Sequence, residues 1–210
     1  MLSLLKYLTF GLFICLSSIV IAGKYNSIID IDDPMPEFSN LPSTNGTDIS
    51  SDDIKEDVVI LVSLANHCPW VRGMDKDLVT LTKSFSGQSV RIIGLSMNHR
   101  EEDRLPAMKV HAEKNRYSFD YIFDESQELG RKLGATRTPE YFVFNKERKL
   151  AYTGALYDSP AKMNADGKVK HINGEPSQFY VHDAVTALLA EKDIHTKETR
   201  AHGCSVKYVQ

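Results

Sequence analysis

Cysteine is scarce in this chain. Three occur in 210 residues, Cys15, Cys68 and Cys204, too few for a disulfide scaffold. An excess of one charge is also missing: 25 Lys and Arg stand against 28 Asp and Glu, for a net charge of -3. The basic residues near the C-terminus are interrupted by Glu, Asp and His, so no surface for nucleic acid is expected. No Gly-rich phosphate loop and no dinucleotide fingerprint is present, and no cofactor is expected. His67, Cys68, His202 and Cys204 are soft ligands, but their spacings match no compact zinc signature, so no metal is expected either. The chain has no internal repeat.

Long apolar runs are rare as well. The exception is Tyr7 to Ala22, which follows Lys6. This reads as a secretory signal peptide over residues 1–22, with an uncleaved membrane anchor as the alternative. Export is therefore expected, to a periplasm or out of the cell. Cleavage would remove Cys15 and Lys6 and leave a net charge of about -4. Cys68 and Cys204 would remain, in a compartment that permits disulfides. Asn45-Gly46-Thr47 is a glycosylation sequon, which matters only in a eukaryotic source.

What is present is an alternating pattern. Residues 23–57 are polar, punctuated by Pro34, Pro36 and Pro42, and read as an N-terminal extension with room for one short strand. Val58–Leu64 is a continuous apolar run, the mark of a buried strand. Val71, Met74, Leu78, Leu81 and Phe85 then recur at helix spacing. Val90–Leu95 predicts a second strand, and Leu105 to Tyr117 a second helix. Phe119–Phe123 is a short apolar patch. A helix carrying Leu129 and Leu133 follows, capped by Asp124 or Ser126 and ended by Gly134. Tyr141–Phe144 and Lys149–Thr153 form a hairpin across Asn145–Arg148. Leu156–Ser177 reads as a long loop. Tyr180 to Leu189 is an amphipathic helix. Residues 58–192 thus form one α/β domain with a central mixed β-sheet flanked by helices. Residues 193–210 are a tail carrying Cys204. Asp75 and Asp77, on the first helix, are expected to face solvent.

Cys68 falls between the first strand and the first helix, in Asn66-His67-Cys68-Pro69-Trp70-Val71. Pro69 suits the first helical turn, because its missing N–H would have no intrahelical partner there. Orphan N–H groups and the helix dipole favour an anion at that point, which raises the thiolate fraction of a cysteine. His67 and Trp70 flank the sulfur. An inert, buried cysteine is the alternative from position alone.

That segment resembles the active site of the peroxiredoxin-like, alkyl hydroperoxide reductase-related branch of the thioredoxin superfamily. Leu95–Asn98, Phe123–Gln127, Leu133–Glu140, Leu150–Ala155, Thr199 and Gly203–Tyr208 extend the resemblance in order. It implies a thioredoxin-like fold. It implies a cis Pro139 beside Cys68, where the Thr138 backbone would meet an extended partner. It implies that Cys68 attacks a peroxide or a disulfide, that Arg137 stabilises the thiolate, that Cys204 is the resolving cysteine, and that an external thiol reductant such as a thioredoxin-like protein resets the pair. Two departures stand out. Val71 occupies the position of the second cysteine of a Cys-x-x-Cys motif, which excludes a local disulfide. Ala65 replaces the threonine that orients peroxide in typical peroxiredoxins. Some relatives carry a cysteine where this chain has Arg137. A non-catalytic binding or scaffold protein with a static Cys68–Cys204 disulfide is the alternative, since the fold alone does not decide function.

Overall fold

A computed structural model describes residues 23–210; the signal-peptide reading and Cys15 lie outside the described residues. In the N-terminal segment, β1 (Leu41–Pro42) and β2 (Asp48–Ile49) form a small antiparallel pair. Polar on average, the segment still buries Ile29, Met35, Phe38, Ile49 and Ile54.

The central elements follow in order: β3 (Val58–Leu64), α1 (Pro69–Ser84), β4 (Val90–Ser96), α2 (Leu105–Asn115), β5 (Asp120–Phe123), α3 (Glu128–Lys132), β6 (Arg137–Thr138), β7 (Glu140–Phe144) and β8 (Leu150–Gly154). Five of them make the sheet, in the order β5-β4-β3-β7-β8. β3, β4 and β5 run parallel, while β7 and β8 are antiparallel to their neighbours. The mixed α/β sheet expected from the alternating pattern is what forms.

β3 lies at the centre, which explains its unbroken apolar run. Val58, Ile60, Val62 and Leu64 face α1 and α4 (Tyr180–Leu189). Val59 and Leu61 face the opposite layer, where α3 and the N-terminal segment pack. Both faces are covered, so alternation of polar and apolar residues is lost. On α1, Val71, Met74, Leu78 and Leu81 are buried, as the three-and-four spacing requires.

Two expectations need correction. Leu156–Ser177 is not a plain loop: β9 (Ala161–Met163) and β10 (Val169–His171) form an antiparallel hairpin within it. Its strands are short and none of their residues beyond Ala161 is buried, so no apolar period marks them. The hairpin packs on α1 at Gly73. A Cβ there would come within 2.8 Å of the Ala161 carbonyl oxygen and Lys162 Cα. Asp75 does not face solvent: it is buried, and its Oδ1 accepts the Tyr117 hydroxyl at 2.5 Å and lies 3.2 Å from His111 Nε2. Asp77 accepts the hydroxyl of Tyr157 at 2.8 Å. Among the described residues no helix is long and apolar enough to cross a membrane.

After α4 the chain returns across the molecule. Thr199 passes beneath Gly154, and β11 (Cys204–Ser205) pairs antiparallel with β6, Cys204 opposite Thr138 and Ser205 opposite Arg137. The tail thereby lies against the N-terminus of α1.

Candidate functional site

Cys68 is the N-cap residue of α1, with extended backbone angles and Pro69 as the first helical residue. Its carbonyl accepts the Arg72 N–H at 3.0 Å, and its own N–H donates to the Ala65 carbonyl. The strand-to-helix turn is thereby fixed. The side chain is fully buried. Cys68 Sγ sits 3.1 Å from the carbonyl oxygen of Thr138, to which its S–H donates, and 2.7 Å from Cys204 Sγ. A disulfide needs about 2.05 Å between sulfurs, so the two thiols, 136 positions apart in sequence, stand within a small displacement of bonding.

The pair shares a tight space, and two anions there would repel. Burial, followed by the hydrogen bond and charge interaction with Cys68, pushes the Cys204 thiol up to about 12. Cys204 is therefore held in its protonated form beside Cys68 Sγ. Sequence position pointed to Cys68; only the geometry places the second sulfur beside it.

The loop before Cys68 is pinned from one side. Asp103, in a 3-10 turn after β4, is completely buried. Its Oδ1 accepts the His67 backbone N–H at 3.2 Å, and its Oδ2 lies 2.5 Å from His67 Nδ1. Nδ1 is thereby committed to the carboxylate, and Nε2 is the ring nitrogen left for other contacts. Asn66 Nδ2 donates to the Glu102 carbonyl, and Tyr121 donates to Asn66 Oδ1. Nothing in the run Glu101-Glu102-Asp103 distinguishes the buried acid from its exposed neighbours by sequence.

Thr138-Pro139 is a cis peptide. The segment that the resemblance leaves open for an extended partner is taken by the chain's own strand β11. Thr138 Oγ1 is buried and makes no hydrogen bond among the described residues. Its side chain shares a face with Cys204 across the pair. Arg137, one residue earlier, points to the opposite face, as alternation along a strand demands. Its guanidinium donates to Ser205 Oγ at 2.7 Å, and among the described residues it makes no hydrogen bond to Cys68. The expected thiolate-stabilising arginine instead fastens the tail.

The cation that sequence reasoning missed is Lys162. The hairpin strand β9, admitted by Gly73, carries it over the Trp70 ring, 5.5 Å from Nζ to the centroid. Its charge opposes the upward push on Cys204. Lys162→Gln is expected to move the pH profile of Cys204 alkylation upward and slow it by about threefold on the alkaline limb, because a cation that favours the Cys204 thiolate is gone. The effect is modest because Lys162 is half-exposed and screened. Lys162→Arg should restore the profile. Iodoacetamide rates measured against pH, at low and high salt, give the answer.

Two cavities of about 450 and 460 Å³ lie elsewhere, one lined by residues including Glu56, Arg91 and Asp120 and the other by Asp77, His171 and Glu175. Neither is lined by Cys68 or Cys204.

Comparison with known proteins bears on the family and the fold. The model of the AhpC/TSA family matches residues 31–153, more than half of the chain. No curated protein matches. An uncharacterized conserved protein from Geobacillus kaustophilus is similar at 27% identity and a TM-score of 0.78, over 88% of this chain and 95% of that one. A hypothetical protein from Sinorhizobium meliloti 1021 is 24% identical with a TM-score of 0.75, over 86% and 96%. A thiol:disulfide interchange protein of the thioredoxin family from Chlorobium tepidum TLS shares 22% identity and a TM-score of 0.51, over 59% of this chain and 86% of that one. At such identities the last two speak to the fold, which is thioredoxin-like.

Proposed function

The chain belongs to the AhpC/TSA family, whose work is thiol-based redox chemistry, and from that premise we propose that it is an exported oxidoreductase in which Cys68 reduces a peroxide or a disulfide and Cys204 resolves the product. The observation that carries this reading is the 2.7 Å approach of Cys204 Sγ to a cysteine at a helix N-terminus. With a peroxide, the Cys68 thiolate attacks one oxygen and the O–O bond breaks. Sulfur is oxidised to the sulfenic acid, and the leaving oxygen takes up a proton to become water or an alcohol. Cys204 then attacks the Cys68 sulfur, water leaves, and the disulfide forms. An external dithiol reduces that bond and is itself oxidised. With a disulfide substrate, Cys68 forms a mixed disulfide and Cys204 displaces it.

Burial favours the smaller substrate. A sulfur enclosed by a backbone carbonyl and a second thiol is reached by a peroxide through a smaller opening than a protein disulfide needs. Export, to a periplasm or out of the cell, rests on the apolar run Tyr7–Ala22. The test is direct. The reduced protein is treated with one equivalent of hydrogen peroxide, and both thiols are followed by intact mass and peptide mapping. Sulfenic acid at Cys68 followed by a Cys68–Cys204 bond is the expected course. Two unreacted thiols would remove peroxide from the reading.

The complete burial of Cys68 also favours a second reading, a static disulfide in a binding or scaffold protein. A bond that survives mild thiol reduction in the folded protein would select it.

A further inference from the structure

We propose that Gln127 is a positioning residue for the thiol pair: its buried amide grips the C-terminal strand and so holds Cys204 against Cys68. This deepens the reading of Cys204 as the resolving thiol and rests on it.

Gln127 is conspicuous on its own. It is fully buried, and its φ is 61°, in the left-handed region that residues other than glycine seldom occupy. Its side-chain amide is used at both ends. Nε2 donates to the Met97 carbonyl at 2.7 Å and to the Lys207 carbonyl at 2.9 Å. Oε1 accepts the Val209 N–H at 2.8 Å. Met97 directly follows β4 in the central sheet. One side chain thus ties the end of the sheet to two backbone groups of the tail. Asn98, also buried, accepts the Lys207 N–H at 3.0 Å. An apolar side chain in place of Gln127 would remove the partners of the Lys207 carbonyl and the Val209 N–H, and the end of the strand would lose two of its ties to the domain.

The grip matters because of where it falls. Upstream of Cys204 the tail is held at Thr199, whose hydroxyl accepts the Ala155 N–H at 2.9 Å and lies 2.7 Å from the Tyr152 hydroxyl. Downstream, the Val206 N–H donates to the Thr136 carbonyl at 3.0 Å, and the strand is gripped again from Lys207 onward. Cys204 sits between two anchors, and the downstream one is the nearer in sequence. Without the Gln127 grip, β11 is held on that side by its pairing with β6, the Val206–Thr136 bond and the Arg137–Ser205 bond, so it frays more readily and the effective concentration of Cys204 at Cys68 falls. The family-like segment Phe123–Gln127 and the terminal segment Gly203–Tyr208 are therefore two halves of one contact.

The experiment is a redox titration of the whole protein against glutathione, which reads the effective concentration of Cys204 at Cys68. Three variants are compared with the unaltered chain: Gln127→Ala, a chain lacking residues 207–210, and the two changes combined. Each single change is expected to lower the effective concentration about tenfold or more, and the combination no further than the deletion alone. In a Cys204→Ser background, Gln127→Ala should leave the rate of Cys68 with peroxide unchanged, a result that a general loosening of the site would not give. If Gln127→Ala does not fold, the deletion carries the same test from the tail's side. An effective concentration within about twofold of the unaltered protein, or a Cys68 rate that falls in the Cys204→Ser background, overturns the clamp. An unaltered protein that forms no Cys68–Cys204 bond at all overturns the functional reading and the clamp together.

Discussion

Cys204→Ser is expected to stop the protein after a single oxidation. Cys204 Sγ is 2.7 Å from Cys68 Sγ, and no other cysteine occurs between residues 16 and 210. A sulfenic acid formed at Cys68 then has no thiol within the chain's described fold to condense with. Turnover with an external reductant should drop by on the order of a hundredfold or more, the advantage that a tethered reactant holds over a free one. The sulfenic acid should accumulate, be captured by dimedone, and pass to the sulfinic acid with excess peroxide. Cys68→Ser gives a different defect. No oxidation should occur at all, because the remaining thiol is held protonated by burial. Its ionisation should nevertheless move down from about 12, since the hydrogen bond and charge of Cys68 are among the causes of the shift. Thiolate absorbance against pH measures that movement. Normal turnover by Cys204→Ser would exclude a resolving role.

Gly203→Ala should separate the pair without touching either sulfur. A Cβ on Gly203 would lie 2.1 Å from the Thr138 carbonyl oxygen, 2.6 Å from its carbon and 3.1 Å from Pro139 N. All three are backbone atoms, so no rotamer relieves the collision. β11 must move off β6, and Cys204, the next residue, must move with it. The same carbonyl accepts the Cys68 S–H, so both sides of the site are disturbed. Disulfide closure after peroxide should slow by on the order of a hundredfold, and stability should fall by about 1–3 kcal/mol, the usual range for overpacking. Gly167→Ala provides the control. That glycine has φ +79° but nothing within 4 Å of a built Cβ, so its replacement introduces backbone strain alone and should leave closure unchanged. Equal closure rates in the two variants would mean that β11 does not set the position of Cys204.

These two variants bear on the same geometrical point, that a tail cysteine is held at the site by backbone contacts. Gly203 admits the tail to Thr138, and Arg137 fastens it through Ser205. The reassignment of Arg137 follows from a single register. With Cys204 opposite Thr138, the preceding side chain must point away from the sulfurs. Lys162, brought by a hairpin that packs where α1 has a glycine, is a cation whose charge reaches Cys204.

What the sequence determined by itself was local. The apolar run of β3, the three-and-four spacing of α1 and α4, the turn before Lys149 and the placement of Cys68 at a helix start all depend on neighbours a few residues away. Their order was enough for a mixed α/β sheet, and the resemblance named the thioredoxin-like fold. Tertiary structure decided the rest. Asp75 looked like a surface acid because polarity reports a residue's own preference and not what α2 and its following loop lay over it. Asp103, Lys162 and Gln127 carried no local mark, since each acts on a segment distant in sequence. The hairpin at Ala161–His171 was hidden because short strands with a single buried residue need no apolar period. The 2.7 Å between Cys68 and Cys204 arises from long-range pairing and packing: β6 supplies an edge, Thr199 and Gln127 hold the tail on either side, and Gly203 lets it close. Hydrophobic pattern says which residues leave water; it does not say which of them meet.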